Sequence, residues 1–181
     1  MQRIAALTVA TAPVASQPLL EGVQKKLGTV PNLFKTLAHA PAALQFYLAG
    51  SEALKQGVLS ARLREQIALV TAGANECDYC ASAHTLMGKG AGLAGAEMAD
   101  NLRGRSGDAK TQAALDFAAA IVNGSGRVGD EQLQAVRAAG YGEAEVVEIV
   151  AHVAANIFTN YFNHIAGTVV DFPVVKAAGI V

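Results

Sequence analysis

Two cysteines three residues apart, Cys77 and Cys80, are the residues of this sequence best suited to chemistry. A helix over this stretch would place both sulfurs and the imidazole of His84 on one face, because residues three and four positions apart are neighbours on a helix. The cysteines would lie near the start of that helix, where free N–H groups and the helix dipole favour an anion. Thiolate is the nucleophilic form of cysteine, and such positions lower its pKa from about 8.5. The spacing therefore predicts a reactive dithiol.

A carboxylate twelve residues before the first cysteine completes this group of residues. Glu65 is expected on the preceding helix, from which it can point into the same cleft and orient or deprotonate His84. A thiol, a base and an orienting acid together activate cysteine nucleophiles. The helix dipole favours Cys77 as the more acidic thiol, whereas closeness to His84 favours Cys80. These residues alone leave the order of the two thiols open.

Helical patterns cover almost the whole chain. Ser60 is expected to cap a helix over residues 61–74, and a further helix is expected from about residues 76–78 to 89. No useful length alternates with a period of two, so a sheet is not expected. The connections are short, so one all-α domain with an N-terminal arm accounts for residues 1–181. Other expected caps and stops are Ser16, Gly28, Pro31, Pro41, Gly57, Gly90, Asp108, Asn123, Gly124, Gly129 and Gly140.

The composition limits the classes of function. Hydrophobic residues make up 52% of the 181 residues and charged residues 16%, so apolar helix faces are expected to need a partner subunit. We therefore expect a homo-oligomer. The net charge is −1 and the basic residues are scattered, which argues against nucleic-acid binding. No run approaches the roughly 18 apolar residues that a membrane-spanning helix needs.

The N-terminus faintly resembles a signal peptide. An apolar-leaning run follows Arg3, but Thr8, Thr11 and Pro13 interrupt it, and one arginine makes a thin positive region. A cytoplasmic protein is the favoured interpretation. Two neighbouring cysteines in an intracellular chain indicate redox chemistry or metal binding rather than a structural disulfide.

The ordered set Arg64-Glu65, Cys77-x-x-Cys80 and His84 resembles the AhpD-like alkylhydroperoxidases of the carboxymuconolactone decarboxylase superfamily. The same resemblance extends to two further segments, residues 30–34 (Val-Pro-Asn-Leu-Phe) and residues 160–164 (Asn-Tyr-Phe-Asn-His). The resemblance implies a single multihelical domain with its motif-bearing core at about residues 40–125. It also implies assembly as trimers or hexamers.

The same resemblance implies reduction of hydroperoxides by the dithiol. Cys80 resembles the peroxidatic cysteine, Cys77 the resolving cysteine, and Glu65 with His84 the proton relay. An external dithiol partner, such as a dihydrolipoyl group, would restore the thiols, with no bound cofactor and no metal. Tyr79 stands where some members have a histidine, and a phenol with a pKa near 10 is a poorer proton carrier. Members that decarboxylate lactones lack the cysteine pair, so that activity is disfavoured.

Two other functions fit the same residues. The dithiol could serve a redox sensor or a general disulfide oxidoreductase without peroxidase turnover. A metal-binding helical module is the other alternative, although the two cysteines and His84 supply three ligands where a structural zinc takes four. A fourth ligand would have to be His39, His152 or His164.

Polar residues recur on the last, mostly apolar helix. His152 and His164 are expected as core or interface histidines. Three asparagines, which we expect to hydrogen-bond toward the cleft or a neighbouring subunit without being catalytic, are Asn156, Asn160 and Asn163.

Overall fold

The computed structural model of the chain describes residues 1–177, and in this range nine α-helices and no β-strand occur. The all-α prediction is thereby confirmed. The helices are α1 (Gln17–Leu27), α2 (Asn32–Leu37), α3 (Pro41–Lys55), α4 (Ala61–Ala74), α5 (Asp78–Gly90), α6 (Gly95–Asn101), α7 (Ala109–Asn123), α8 (Asp130–Ala138) and α9 (Glu143–Ala166). None of them has the length and apolar character needed to cross a bilayer.

Helix α4 lies at the centre of the fold and packs against α5, α7 and α9. It is buried without interruption from residue 66 to residue 73, because neighbouring helices pack on several of its sides. Leu69 faces one hydrophobic cluster, formed with α1, α2, α3 and α5. Ile67 and Val70 face a second cluster, formed with α7, α8 and α9. Full burial of each such side chain stabilises the fold by about 1.5–3 kcal/mol.

Most helix ends follow the predicted caps. Ser60 Oγ accepts the N–H of Leu63 at 3.2 Å, and Gly28 ends α1 in the left-handed region at φ +75°. Ser16 precedes α1 as expected but does not cap it through its side chain. Its buried hydroxyl donates instead to the carbonyl oxygen of Ala38 at 2.7 Å, because a buried hydroxyl needs a hydrogen-bond partner.

The N-terminal arm lies against the end of α9, and the C-terminal tail lies against α5. The N-terminal arm contains two short 3₁₀ turns, Val9–Thr11 and Val14–Ser16, and the backbone N–H of Arg3 donates to Ala166 O at 2.7 Å. The C-terminal tail, residues 168–177, crosses the start of α5. There the N–H of Val175 donates to Ser82 Oγ at 2.9 Å, so the tail covers the helix that carries the cysteines.

Candidate active site

The junction between α4 and α5 fixes the position of the first cysteine. The N–H of Cys77 donates to Ala72 O at 3.0 Å and that of Glu76 to Gly73 O at 3.1 Å, which together form a Schellman motif at the end of α4. This motif needs a left-handed residue, and Glu76 supplies it at φ +52°. Cys77 is therefore held by the central helix of the fold.

The Cys77 sulfur occupies the N-cap position of α5. It accepts the backbone N–H of Cys80 at 3.3 Å, as a serine or aspartate oxygen does at other helix starts. The pKa of Cys77 is lowered, chiefly because the Cys80 thiol donates a hydrogen bond to it, against the opposing effect of burial. The pKa of Cys80 is raised well above the ordinary value by that same hydrogen bond and by burial. The dithiol thus favours a negative charge on Cys77.

The predicted acid and base meet across the α4–α5 interface. His84 Nδ1 donates to Glu65 Oε2 at 2.8 Å, and both side chains are largely buried. Across residues 1–177, no hydrogen bond joins His84 to either sulfur. The imidazole lies one helical turn beyond Cys80, so the pair flanks the dithiol without contacting it in this state.

Helix α9 contributes asparagines to the dithiol. Asn163 Nδ2 donates to Cys80 Sγ at 3.3 Å. Asn160, one turn earlier on the same face, accepts Asn75 Nδ2 at 2.9 Å through its Oδ1 atom. His164 Nε2 donates to the backbone oxygen of Asn75 at 2.7 Å. Asn160 and Asn163 thus turn to the cleft, one of the two orientations expected, whereas Asn156 donates to the His152 carbonyl of its own helix.

Comparison with known proteins places this geometry in a family. The model of the carboxymuconolactone decarboxylase family matches residues 41–120. A solved structure from Ralstonia eutropha JMP134, described as an alkylhydroperoxidase AhpD core and an uncharacterized peroxidase-related protein, is 29% identical, covers 94% of this chain and 92% of that chain, and has a TM-score of 0.83. The resemblance of the sequence motif to the AhpD-like part of the carboxymuconolactone decarboxylase superfamily is thereby confirmed.

Other solved structures share this AhpD-like fold. An uncharacterized peroxidase-related protein from Silicibacter sp. TM1040 is 25% identical, with 92% of this chain and 90% of that chain covered and a TM-score of 0.79. The debrominase Bmp8, in a cysteine-to-alanine variant with 2,3,4-tribromopyrrole, is 20% identical over 94% and 92% of the two chains, with a TM-score of 0.79. None of the curated proteins matches the sequence. The fold therefore occurs in peroxidase-related proteins and in a debrominase.

Two tyrosines lie close to the dithiol of this AhpD-like chain, with different surroundings. Burial raises the pKa of Tyr47, and the charges of Cys80 and Glu65 raise it further. Tyr79 is buried, accepts the N–H of Leu33 at 3.0 Å and packs edge to face on Phe172. Burial raises its pKa, which suits a packing residue better than a proton carrier.

The histidines outside the motif are not gathered around the dithiol as ligands. His39 donates through Nε2 to Ala5 O at 2.9 Å, and His164 bonds the backbone of Asn75. His152 is buried, and burial followed by the charge of Arg64 lowers its pKa, which favours the neutral imidazole. Within residues 1–177, no three His, Cys, Asp or Glu side chains are placed so that they could hold a metal ion.

Proposed function

We propose that this AhpD-like chain is a thiol-dependent peroxidase that reduces hydroperoxides through a Cys77–Cys80 dithiol and disulfide cycle. The observation that carries the proposal is the hydrogen-bonded dithiol at the start of α5, with one thiol already favoured as the anion. The Glu65–His84 pair one turn away supplies a base and an acid for proton transfer. The match to peroxidase-related structures supports the same class of chemistry.

The proposed cycle begins with the Cys80 thiolate. It attacks the terminal oxygen of the hydroperoxide, the O–O bond breaks, and an alcohol leaves while the sulfur becomes a sulfenic acid. Cys77 then attacks that sulfur, water leaves, and a disulfide forms. An external dithiol, for example a dihydrolipoyl group, restores both thiols by exchange.

The hydrogen bond between the two thiols gives Cys80 a route to its reactive form. The pKa of Cys77 is lowered and that of Cys80 is raised, so a negative charge on the dithiol favours Cys77 and the shared proton favours Cys80. Transfer of that proton along the S–H···S contact moves the charge to Cys80 without any proton leaving the site. Cys80 is the thiol nearer His84, and its sulfur also receives the Asn163 donor.

A coupled assay with several hydroperoxides and several dithiol donors tests the proposal. We expect turnover for the wild type and none for Cys80→Ser, which should consume no peroxide. Cys77→Ser should consume one equivalent of peroxide and then stop, because its Cys80 sulfenic acid has no resolving thiol. The reverse stoichiometries would exchange the two cysteine roles. Wild-type turnover no greater than that of Cys80→Ser would reject a peroxidase.

A further inference from the structure

We propose that the side-chain amides of Asn160 and Asn163 are catalytic, as a pair of donors for the negative charge on the Cys80 sulfur and on the oxygen that this sulfur takes from the peroxide. The inference rests on the proposed thiol chemistry and adds two residues that lie 80 and 83 positions after Cys80 in the sequence. We call Asn160 and Asn163 the amide pair.

One member of the amide pair already touches the reacting atom. Asn163 Nδ2 donates to Cys80 Sγ at 3.3 Å, and the asparagine is 5% exposed. A hydrogen bond to an ionised sulfur is stronger than one to a neutral thiol, because the acceptor carries a full charge. Asn163 therefore stabilises the thiolate more than the thiol.

The other member has a donor without a partner in the reduced protein. Asn160 is fully buried, and its Oδ1 atom accepts Asn75 Nδ2, which fixes the orientation of the amide. Its own Nδ2 atom has no hydrogen-bond partner among the described residues. A buried donor left unpaired destabilises the state that contains it, so an acceptor that appears later in the reaction would be bound.

The Cys80 side chain is where that acceptor would arise. Asn160 as well as Asn163 lowers the pKa of Cys80, against the larger raising effects of Cys77 and burial. Asn163 contacts this sulfur, and Asn160 lies three residues earlier on the same face of α9, so its free donor lies on the side of the helix that meets Cys80. An ionised sulfur, or an oxygen bound to it, offers the acceptor that the free Asn160 donor lacks.

The reaction puts charge at this place in two forms. The Cys80 thiolate and ROOH give a sulfenate, –SO⁻, and ROH: the S–O bond forms, the O–O bond breaks, sulfur gives up two electrons, and the peroxide proton goes to the departing alkoxide. The charge moves from sulfur to oxygen. Cys77–SH, the sulfenate and one proton from solution then give the disulfide and water. Fixed N–H donors aimed at developing charge are an effective means of lowering such barriers.

The first test measures the thiolate directly and needs no peroxide. In a Cys77→Ser background, the rate of Cys80 alkylation by iodoacetamide is followed against pH. We expect Asn163→Leu to raise the pKa of Cys80 by roughly 1 unit or more, since a hydrogen bond to a charged group is lost. Asn163→Asp, which keeps the shape and adds negative charge, should raise it further. This nearly isosteric variant keeps the test valid if the leucine variant fails to fold.

A matched control lies one turn earlier on the same helix. Asn156 is also buried, but its Nδ2 atom donates to the His152 carbonyl of its own helix. Asn156→Leu should leave the pKa of Cys80 unchanged. An equal shift in Asn156→Leu and Asn163→Leu would overturn the inference, because it would indicate a general disturbance of α9.

The second test separates this inference from the proposed function. With the native cysteines, Asn160→Leu should lower kcat for hydroperoxide about 100-fold with little change in KM, as loss of one donor to a developing anion does. Unchanged turnover in both amide variants, with an active wild type, would overturn the amide pair and leave the peroxidase standing. A shifted Cys80 pKa in Asn163→Leu, with no turnover in the wild type, would retain the amide pair for the thiolate and reject the peroxidase.

Discussion

At the scale of the residue, Cys77 both caps a helix and has a lowered pKa. Its sulfur accepts hydrogen bonds from the backbone and the thiol of Cys80, so the anionic form is the better acceptor and its pKa is lowered. A thiol with a lowered folded-state pKa stays ionised to a lower pH than in the unfolded chain. Its contribution to stability is therefore present above the unfolded pKa and is lost as pH falls through the folded one.

This lowered pKa predicts a pH-dependent difference between the two thiols. In the reduced wild type, iodoacetamide should modify Cys77 before Cys80 at neutral pH, and the Cys77 rate should fall only at a pH below that of a free cysteine. Fragment-ion mass spectrometry of the peptide that carries both cysteines measures each rate. Cys80→Ala should raise the midpoint for Cys77, because alanine has no donor to replace the thiol. A midpoint for Cys77 at or above that of a free cysteine would contradict the prediction.

The sequence predicted part of this site for a local reason. Cys77, Cys80 and His84 share one helix, so spacing alone places them on one face, and the structure does bring Glu65 to His84. Asn163 was not assigned a catalytic role, because no local spacing links it to the cysteines and its approach depends on how α9 packs.

At the scale of the element, the α4–α5 junction uses a residue that does not suit its backbone. Glu76 has φ +52°, a backbone conformation in which residues other than glycine are strained. Glu76→Gly should raise the free energy of unfolding by about 0.5–1 kcal/mol, because relief of that strain exceeds the added entropy of the unfolded chain. Denaturant unfolding of the reduced protein measures the change.

The end of α7 provides a control for this prediction. Ser125 has φ +51° and follows α7 as Glu76 follows α4, with the N–H of Gly126 bonded to Ile121 O at 2.8 Å. Ser125→Gly should stabilise the fold by a similar amount and leave the alkylation rates of both cysteines unchanged. A loss of stability in Glu76→Gly alone would show that the glutamate side chain, not the backbone, decides this junction.

Local sequence rules predicted the helices better than the segments at the two ends. Caps such as Ser60 and stops such as Gly28 act within a few residues, so their effect is visible in the sequence. The 3₁₀ turns of the arm and the path of the C-terminal tail depend on distant partners. Asp171, for example, accepts the N–H of Asn32 at 2.8 Å, a contact that no periodicity indicates.

At the scale of the whole molecule, α9 carries an apolar face that the described chain leaves uncovered. Val147 and Ile165 are 65% and 62% exposed, and Phe46 of α3 is 68% exposed. On α9, Val147 and Ile165 lie on the same side of the helix as the exposed Val150 and Tyr161. Such a face agrees with the expectation of a homo-oligomer, in which a second copy would cover it.

A charged residue on this face should reduce the molecular mass of the assembly in solution. We expect Ile165→Glu to shift the wild-type oligomer toward smaller species, because a buried unpaired carboxylate is strongly unfavourable at an interface. Size-exclusion chromatography with light scattering gives the mass. Val14→Glu, at an 82% exposed site in the N-terminal arm, should leave the mass unchanged. A monomeric wild type would contradict the homo-oligomer, and an unchanged mass for Ile165→Glu would place its interface elsewhere.

The capping sulfur of Cys77 also bears on the direction in which electrons flow. In the proposed cycle, oxidation weakens the hydrogen bonds that stabilise its thiolate, since a disulfide sulfur carries no charge to attract them. They therefore favour the dithiol over the disulfide and make the reduction potential of the pair less negative. A hydroperoxide is a strong enough oxidant to convert such a dithiol, and the resulting disulfide accepts electrons readily from a second dithiol.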